Sequence, residues 1–419
     1  MENEIKEKEN GIKQSKTNKI KILNLIRREN EISRADIVKK TGISAPTVTR
    51  IVESLLHIEK LIEQTGMGES SGGRPPLMVR FLGEEHYVVG IDWGKTHIYG
   101  VLANLDGKVL FELDIPSEVD NNFESDLNKV INLIDYIIHN SQVNPQKILG
   151  IGIAAAGYIN KLTGEVQYSP NFNWKNSNIK PQLEKHFKVP VKVDNVARVT
   201  ALGELLYGIG SNFENFIYIN VGYGIGSGII INGEPHYGFD GYSGEVGHTR
   251  IAINHNEKRK CVCGKENCLE CYSSGRGITE TVLEKYDKTP DSILHVLCNG
   301  NKNLITAEMI ARAAHSGDKL SKEAYSLASE ILGYSIANMA NVFNPEAIIL
   351  GGKVLKSGNL FLNKVKEIFY QETIRNANRK IPVLRSENME RGAAIGAVSL
   401  ILKEVLELGH VQPNSGKLL

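Results

Sequence analysis

The sequence predicts an α/β protein in two parts, a small N-terminal winged helix-turn-helix and a larger domain of two similar lobes. Three observations support this prediction. Basic residues concentrate near the N-terminus, where apolar residues recur at helical spacing. From residue 86 onward, β-branched strands alternate with longer helices. Within that larger part, a pattern of strand, glycine-rich turn and strand occurs twice.

Composition excludes several classes of protein. The chain has 419 residues, enough for two or three domains, and a net charge of +1. A protein that coats nucleic acid with its whole surface is therefore excluded, and any DNA binding has to be local. No window offers the run of about 18 apolar residues that a membrane span needs. The N-terminal residues lack the apolar core of a signal peptide, so a cytoplasmic protein without a membrane partner is expected.

Residues 19–82 are predicted to form a DNA-binding domain, after a charged arm over residues 1–18. Residues 11–50 contain ten cations and three anions. Within this basic segment, Ser33 is an N-cap candidate for a helix that ends at Gly42. A second helix follows after a tight turn, and the two together make a helix-turn-helix.

The second helix is predicted to read DNA. Ser44 can cap it, and Pro46 is tolerated in its first turn. Its inner stripe is apolar and comprises Val48, Ile51, Leu55 and Ile58. The side chains at its start or outside that stripe are the predicted DNA contacts: Ser44, Ala45, Thr47, Thr49 and Arg50.

The wing is predicted from a strand, a Gly/Ser-rich tip and a second strand that follow the helices. Residues 72–76, GGRPP, resemble the Gly-Arg-Pro core of AT-hook peptides, in which an arginine lies in a narrow A·T minor groove. This resemblance makes Arg74 a further predicted DNA contact. The alternative interpretation is a flexible linker between domains.

Residues 86–405 are predicted to form the larger domain, with a tail over residues 406–419. The pattern of strand, glycine turn, strand, turn and strand occurs over residues 87–113 and again over residues 215–238. Such a duplication is typical of the actin-like, ribonuclease-H-like fold of two-lobed sugar kinases. A small molecule is therefore expected to bind between the lobes.

Four of the five cysteines lie within eleven residues and indicate a metal site. Cys261, Cys263 and Cys268 form a C-x-C-G-x4-C pattern that brings three sulfurs around one tight turn. A structural zinc site takes four such ligands in a closed tetrahedron. The pattern does not decide whether His248 or Cys271 is the fourth ligand. The alternative interpretation is that the cysteines are free buried thiols without a metal.

Two segments resemble signatures of the ROK family (repressor, open reading frame, kinase). Residues 244–248, GEVGH, match its E-x-G-H signature. Residues 261–270, CVCGKENCLE, match C-x-C-G-x-x-G-C-x-E except that Asn267 replaces a glycine. Together with the glycine hairpins, the resemblance covers residues 86–405.

This resemblance implies a zinc site, a sugar site and a DNA partner. The implied ligands of a structural Zn²⁺ are His248, Cys261, Cys263 and Cys268, and Cys271 is then a bystander. The implied sugar contacts are Asn171, Asn195, Glu245, His248 and Glu270. Family members with an N-terminal winged helix resemble repressors of sugar-use operons, those for xylose among them. A homodimer or higher homo-oligomer on a palindromic, A·T-rich operator is expected.

The base position argues against sugar phosphorylation. The family's kinases carry an aspartate general base in a motif resembling N-D-A-N-x-A-A-x-G-E, and the aligned residues 195–204 have Val196 there. Valine cannot accept a proton, so the rate should fall by roughly 10²- to 10⁴-fold. A one-residue shift that presents Asp194 instead is the alternative.

The nucleotide loops also depart from the family pattern. Lys95 replaces a small residue in the D-x-G-x-T loop, and Tyr223 replaces a threonine in the second hairpin. A tyrosine there would crowd the backbone amides that approach a phosphate. Glycines kept for hairpin geometry alone are an open alternative.

The combined hypothesis is a sugar-responsive transcriptional repressor that keeps a sugar pocket and a zinc site but has lost catalysis. An active, ATP-dependent sugar kinase with an appended DNA-binding domain is the main alternative, and Val196 argues against it. A constitutive DNA binder is a third. It would leave Glu245 and Glu270 facing an empty pocket without partners for their desolvation.

Overall fold

A winged helix-turn-helix precedes a two-lobed α/β domain. The computed structural model describes residues 15, 18–68, 75–119, 122–160, 163–170, 172–251, 258–374, 380–387 and 391–408. Among these residues, no helix combines the length and the apolar character needed to cross a membrane.

The N-terminal domain has three helices and a three-stranded sheet. The helices are α1 (residues 18–28), α2 (Arg34–Thr41) and α3 (Ala45–Glu53). The strands are β1 (Ile32–Ser33), β2 (Ile62–Met67) and β3 (Leu77–Phe81), in the order β1-β3-β2. Ser33 caps α2 by accepting a hydrogen bond from the Asp36 amide at 3.1 Å, and Gly42 ends the helix with φ +70°. The predicted helix-turn-helix and wing strands are confirmed.

Two details of α3 correct the sequence analysis. Ser44 makes no side-chain cap to a backbone amide, because its Oγ pairs with Thr47 Oγ1 at 2.9 Å. Ile58 is 79% exposed and does not belong to the inner stripe, although Val48 and Leu55 are buried. The chain continues over Ser54–Ile58 in one wider π-helical turn, so that Ile58 faces outward.

Each lobe of the larger domain is built on a five-stranded sheet. The first has β4 (Tyr87–Trp93), β5 (His97–Asn104), β6 (Val109–Pro116), β7 (Ile148–Ala155) and β11 (Val191–Asn195). The second has β12 (Phe216–Val221), β13 (Ile225–Ile231), β14 (Glu234–Pro235), β15 (Ala347–Gly351) and β16 (Val383–Arg385). The first lobe also carries a small sheet of β8 (Tyr158–Ile159), β9 (Glu165–Ser169) and β10 (Trp174–Asn178).

The two large sheets have the same topology. Their strand orders are β11-β7-β4-β5-β6 and β14-β13-β12-β15-β16. In each, three antiparallel strands are extended by two parallel ones. The internal repeat in the sequence is therefore a duplication of the fold, and the predicted two-lobed architecture is confirmed.

Helices cover the sheets and join the lobes. They are α4 (Phe123–Asn140), α5 (Ile179–Phe187), α6 (Val196–Tyr207), α7 (Glu270–Ser273), α8 (Gly275–Tyr286), α9 (Leu294–Leu297), α10 (Ala307–His315), α11 (Lys319–Phe343), α12 (Asn359–Glu372) and α13 (Gly392–Leu408). Helices α6 and α13 pack closely, since a Cβ on Gly203 would lie 2.9 Å from Gly396 Cα. This close approach requires glycine at both positions.

The N-terminal domain packs directly on the larger domain. Ile22, Leu23 and Ile26 of α1 share one buried apolar cluster with Val398 and Leu402 of α13. A polar contact adds to this, because the Arg27 guanidinium donates to the carbonyl of Leu206 at 2.8 Å and lies 4.9 Å from the Tyr207 ring centroid. The end of α6 is therefore a docking point for α1.

Candidate functional site

A cleft of about 440 Å³ lies between the two lobes. The first lobe lines it with residues 92–97 at the end of β4 and with the start of α6. The second lobe lines it with residues 222–226, the turn between β12 and β13. The predicted sugar contacts that line it are Asn195, Glu245, His248 and Glu270. Asn171 lies outside the described residues, so its role stays a prediction.

Asn195 is fixed by the backbone around it. Its Oδ1 accepts a hydrogen bond from the Ala197 amide at 3.0 Å and so caps α6, while its Nδ2 donates to the Gly157 carbonyl at 3.0 Å. An asparagine amide has a second hydrogen and a second lone pair. Asn195 therefore has capacity left for a ligand in a set orientation.

The two glutamates of the site lie in a partly desolvated environment. Burial raises the pKa of Glu245 to about 7, the Arg198 guanidinium opposes this rise, and the charge of Glu270 adds to it. Glu270 Oε1 lies 3.3 Å from Arg276 Nη2. A Cβ on Gly224 would come within 2.8 Å of Glu270 Oε2, so the glycine turn leaves room for this carboxylate.

The predicted zinc ligands meet beside these glutamates. The ligand atoms of His248, Cys261, Cys263 and Cys268 all lie within 4.8 Å of one another. Cys263 Sγ is 3.7 Å from Cys268 Sγ, and Cys261 Sγ is 3.5 Å from His248 Nδ1. Zinc–ligand bonds of about 2.3 Å to sulfur and 2.0–2.1 Å to nitrogen imply tetrahedral edges of roughly 3.8 and 3.5 Å. The donor set therefore fits a closed zinc site, and Cys271 is not part of it.

His248 can serve two roles at once. Its Nδ1 faces the thiolates, whereas its Nε2 lies 3.9 Å from Glu245 Oε2. A metal bound at Nδ1 would fix the ring and its tautomer, leaving Nε2–H as a donor toward the cleft. The metal would then order this edge of the cleft.

Val196 lines the cleft as the first residue of α6. The alternative, that Asp194 is presented as a base, finds no support. Asp194 is 4% exposed, and its carboxylate accepts hydrogen bonds from Arg198 at 2.6, 3.0 and 3.2 Å. Among the described residues, those that line the cleft include Asn195 and Val196 but not Asp194.

The other end of the cleft is charged. Asp92, Lys95, Tyr223 and Lys353 line it, and Tyr223 is 52% exposed. Burial raises the pKa of Asp92 to about 7, with Lys353 opposing and Asp114 adding to the rise.

The glycines of the second hairpin have packing roles. A Cβ on Gly226 would lie 3.0 Å from Ala197 Cβ, and a Cβ on Gly228 would lie 2.4 Å from Ala201 Cβ. These two glycines let α6 pack on β13. The packing of α6 is thus a reason for these two glycines that is separate from both phosphate binding and the geometry of the hairpin.

The predicted DNA contacts lie on the exposed side of the helix-turn-helix. Ser44, Ala45, Thr49 and Arg50 are exposed, and Thr47 is half-buried. Arg50 Nη2 lies 3.4 Å from Ser15 Oγ. Arg74 falls in residues 69–74, outside the described part of the chain.

Sequence reasoning missed three residues around the cleft. Arg198, Arg276 and Tyr158 were not singled out. The spacing of Asp194 and Arg198, four residues apart at the start of a helix, was the available signal for the first. Arg276 pairs with Glu280, four residues later in α8, and with Glu270, six residues before it, so its contacts were also within local reach. The contact of Tyr158 with Tyr242 depends on long-range folding that local patterns do not report.

Comparisons with known proteins agree with this architecture. A family model described as "ROK family" matches residues 88–404. The protein belongs to the ROK family. In this ROK protein, a model described as "Winged helix-turn-helix DNA-binding" also matches residues 16–56.

Relatives of this ROK protein include both regulators and kinases. A xylose repressor from Caldicellulosiruptor bescii is 32% identical over 389 residues, which is 93% of this chain and 96% of the repressor. The solved structure of a ROK family transcriptional regulator, a homologue of the E. coli MLC protein, is 25% identical with a TM-score of 0.77, covering 94% of this chain and 98% of that one. A ROK glucokinase from Streptomyces griseus, solved with glucose and AMPPNP, is 27% identical with a TM-score of 0.68, covering 75% of this chain and 98% of that one.

Proposed function

We propose that this ROK protein is a sugar-responsive transcriptional repressor. It binds operator DNA through α3 and the wing and binds a sugar or sugar derivative in the cleft between the lobes. The observation that carries this proposal is the path of α6. Its first residues line the cleft, and its last residues contact the DNA-binding domain.

A ligand in the cleft can influence DNA binding through this helix. A sugar that binds Asn195 acts on the N-terminal end of α6, and the contact of Arg27 with Leu206 and Tyr207 lies at its C-terminal end. Helix α13 runs beside α6, with Gly392 in the cleft and Val398 in the cluster shared with α1. A change in effector occupancy would then bias the position of the DNA-reading helix.

The remaining parts of the proposal follow from the site. One zinc per chain, held by the His and Cys tetrad, keeps His248 and the start of α7, where Glu270 lies, in place. A homodimer would present two recognition helices to a palindromic, A·T-rich operator, and the protein would act in the cytoplasm. The chain would not be an enzyme, because Val196 stands at the base position.

The direct test measures DNA binding with and without sugars. Specific fragments are first selected from a random DNA library by the purified protein, and their affinity is then titrated against a panel of monosaccharides and their phosphates. We expect one sugar to change the affinity by about tenfold or more. Absence of sequence-specific binding, or indifference to every sugar, would contradict the proposal.

Two arginines should affect DNA recognition differently. Arg74→Ala is expected to weaken operator binding by about 1 to 3 kcal/mol and relax the preference for A·T flanks, because a minor-groove arginine responds to groove width. Arg50→Ala should instead alter preference at inner positions, where guanine offers two acceptors in the major groove. Titrations on operators with A·T or G·C flanks at fixed salt measure both.

The control for these variants is Arg312→Ala, an exposed arginine on α10 in the second lobe. It should bind all operators like the unmodified protein. If Arg74→Ala matches the control on both kinds of flank, the Gly-Arg-Pro segment is only a linker.

Sugar phosphorylation should be undetectable in the unmodified protein. Val196 removes the proton acceptor, and Asp194 is held by Arg198. Val196→Asp should recover little activity, since Lys95 and Tyr223 also change the phosphate loops. A coupled ATPase assay over the same sugars checks this. Robust turnover by the unmodified protein would favour the kinase alternative.

A further inference from the structure

A loop over residues 236–244 follows β14 and leads to the cleft residues Gly244 and Glu245. Its base is closed by a hydrogen bond from the Ser243 amide to the Tyr237 carbonyl at 3.1 Å. Gly244 then accepts a hydrogen bond from the Ser227 amide, also at 3.1 Å, and the next residue is the sugar-facing Glu245. The position of this loop is therefore linked through the backbone to a predicted sugar contact.

The loop belongs to the second lobe but makes side-chain contacts with the first. The ring of Tyr242 lies 4.8 Å from the ring of Tyr158, at an interplanar angle of 46°. The Tyr242 hydroxyl donates a hydrogen bond to Gln167 Oε1 at 2.9 Å. Tyr158 is in β8 and Gln167 in β9, so both partners stand on the small sheet of the first lobe.

Tyr158 is also part of the cleft wall, together with Glu245 and His248. A sugar ring presents hydroxyls at its edge and C–H groups on its faces. Carboxylates and imidazole suit the hydroxyls, whereas an aromatic ring offers an apolar surface for the C–H groups. The wall thus supplies both kinds of contact.

We propose that Tyr158 is a further sugar-contact residue and that residues 236–244 form a clasp, which the contacts of Tyr242 with Tyr158 and Gln167 hold closed across the two lobes and which a bound effector stabilises further. This inference rests on the proposed function, because it assigns a role to residues of the same sugar site.

The backbone of the clasp turns at three glycines. Gly238, Gly241 and Gly244 all have positive φ, between 73° and 95°. Glycine adopts this conformation without steric cost. The tip is otherwise held by a hydrogen bond from Arg198 Nη1 to the Gly241 carbonyl at 3.0 Å. The Arg198 guanidinium also lies 4.8 Å from the ring centroid of Tyr237 in the same loop. The contacts of Tyr242 add to these and are the ones that reach the small sheet of the first lobe.

The test compares ring-deleting with ring-preserving variants, with D-xylose, D-glucose, N-acetyl-D-glucosamine and their phosphates as probes. Tyr158→Ala and Tyr242→Ala should weaken binding of the recognised probe by about tenfold, since each loses an aromatic contact. Tyr242→Ala should act through a faster dissociation rate. Tyr158→Phe and Tyr242→Phe keep the ring pair and should retain most of the affinity. Calorimetry and stopped-flow fluorescence measure these changes.

The matched control is Phe239→Ala, because Phe239 sits in the same loop and its side chain is fully exposed. It should leave both the probe binding and the operator affinity of the unliganded protein unchanged. Unchanged affinity and dissociation rate in both alanine variants would overturn the clasp.

Failure of the proposed function gives a different result, in which the unmodified protein binds none of the probes. In that case, amide hydrogen exchange still tests whether residues 236–244 are held closed by the contact between the lobes. Amides of residues 237–243 should exchange faster in Tyr158→Ala than in the unmodified protein, because the cross-lobe contact is lost. Equal exchange rates would overturn the proposal.

Discussion

Cys268→Ser is expected to remove zinc from the protein and to lower its melting temperature. The four ligand atoms already lie at the spacing of a zinc tetrahedron, and losing one thiolate opens that closed site. Because structural zinc binds the folded state, its binding free energy contributes to stability, about 10–16 kcal/mol in zinc-finger peptides. Elemental analysis should find one zinc per chain in the unmodified protein and far less in the variant.

Cys271→Ser provides the matched control. Cys271 is buried next to the tetrad but is not one of its members. This variant should keep its zinc, and His248→Ala should lose it. The opposite result for the two variants, or a metal content well below one per chain in the unmodified protein, would refute the ligand assignment.

Arg198→Met is expected to destabilise the protein by about 3–5 kcal/mol. The change leaves Asp194 as a buried carboxylate without its partner, and breaking a buried pair from one side has a cost of this size. Urea denaturation of the variant and the unmodified protein measures the free energy of unfolding.

A double variant distinguishes this cause from lost packing. Adding Asp194→Asn to Arg198→Met removes the buried carboxylate charge that has lost its partner, and this should restore a large part of the stability. Lys302→Met, which breaks an exposed pair with Asp287, should cost less than about 1 kcal/mol. If Arg198→Met costs no more than this exposed control, the buried pair is not important for stability.

Local patterns predicted most of the fold. The repeated pattern of strands and glycine turns predicted two sheets, and the structure has two sheets of the same topology. Such pairing is predictable because strands joined by short turns are close together in the sequence. The cap at Ser33 and the end at Gly42 were also local and were confirmed. The prediction that Ile58 belongs to the inner stripe was wrong. A π-helical turn over Ser54–Ile58 changes the number of residues per turn, on which the spacing of a buried helical stripe depends.

The candidate site was only partly predictable, because some of its contacts join residues close in the sequence and others join residues far apart. Three cysteines lie within eight residues, so one turn of the chain is enough to bring their sulfurs together, and this cluster was predictable. The pairing of Asp194 with Arg198 was within local reach and was overlooked. The contact of Tyr242 with Tyr158 joins residues 84 positions apart, and the docking of Arg27 on Tyr207 joins residues 180 apart. Such contacts depend on the packing of whole lobes.

The span of α6 has a thermodynamic consequence. Its 12 residues make a rod of about 18 Å, with the effector cleft at one end and the DNA-binding domain at the other. Any coupling carried along this rod is a free energy shared by two binding equilibria, and linkage makes it reciprocal. Whatever factor the sugar imposes on operator affinity, the operator must impose on sugar affinity. A promoter-bound copy of this protein would therefore sense a different sugar concentration from a copy free in solution.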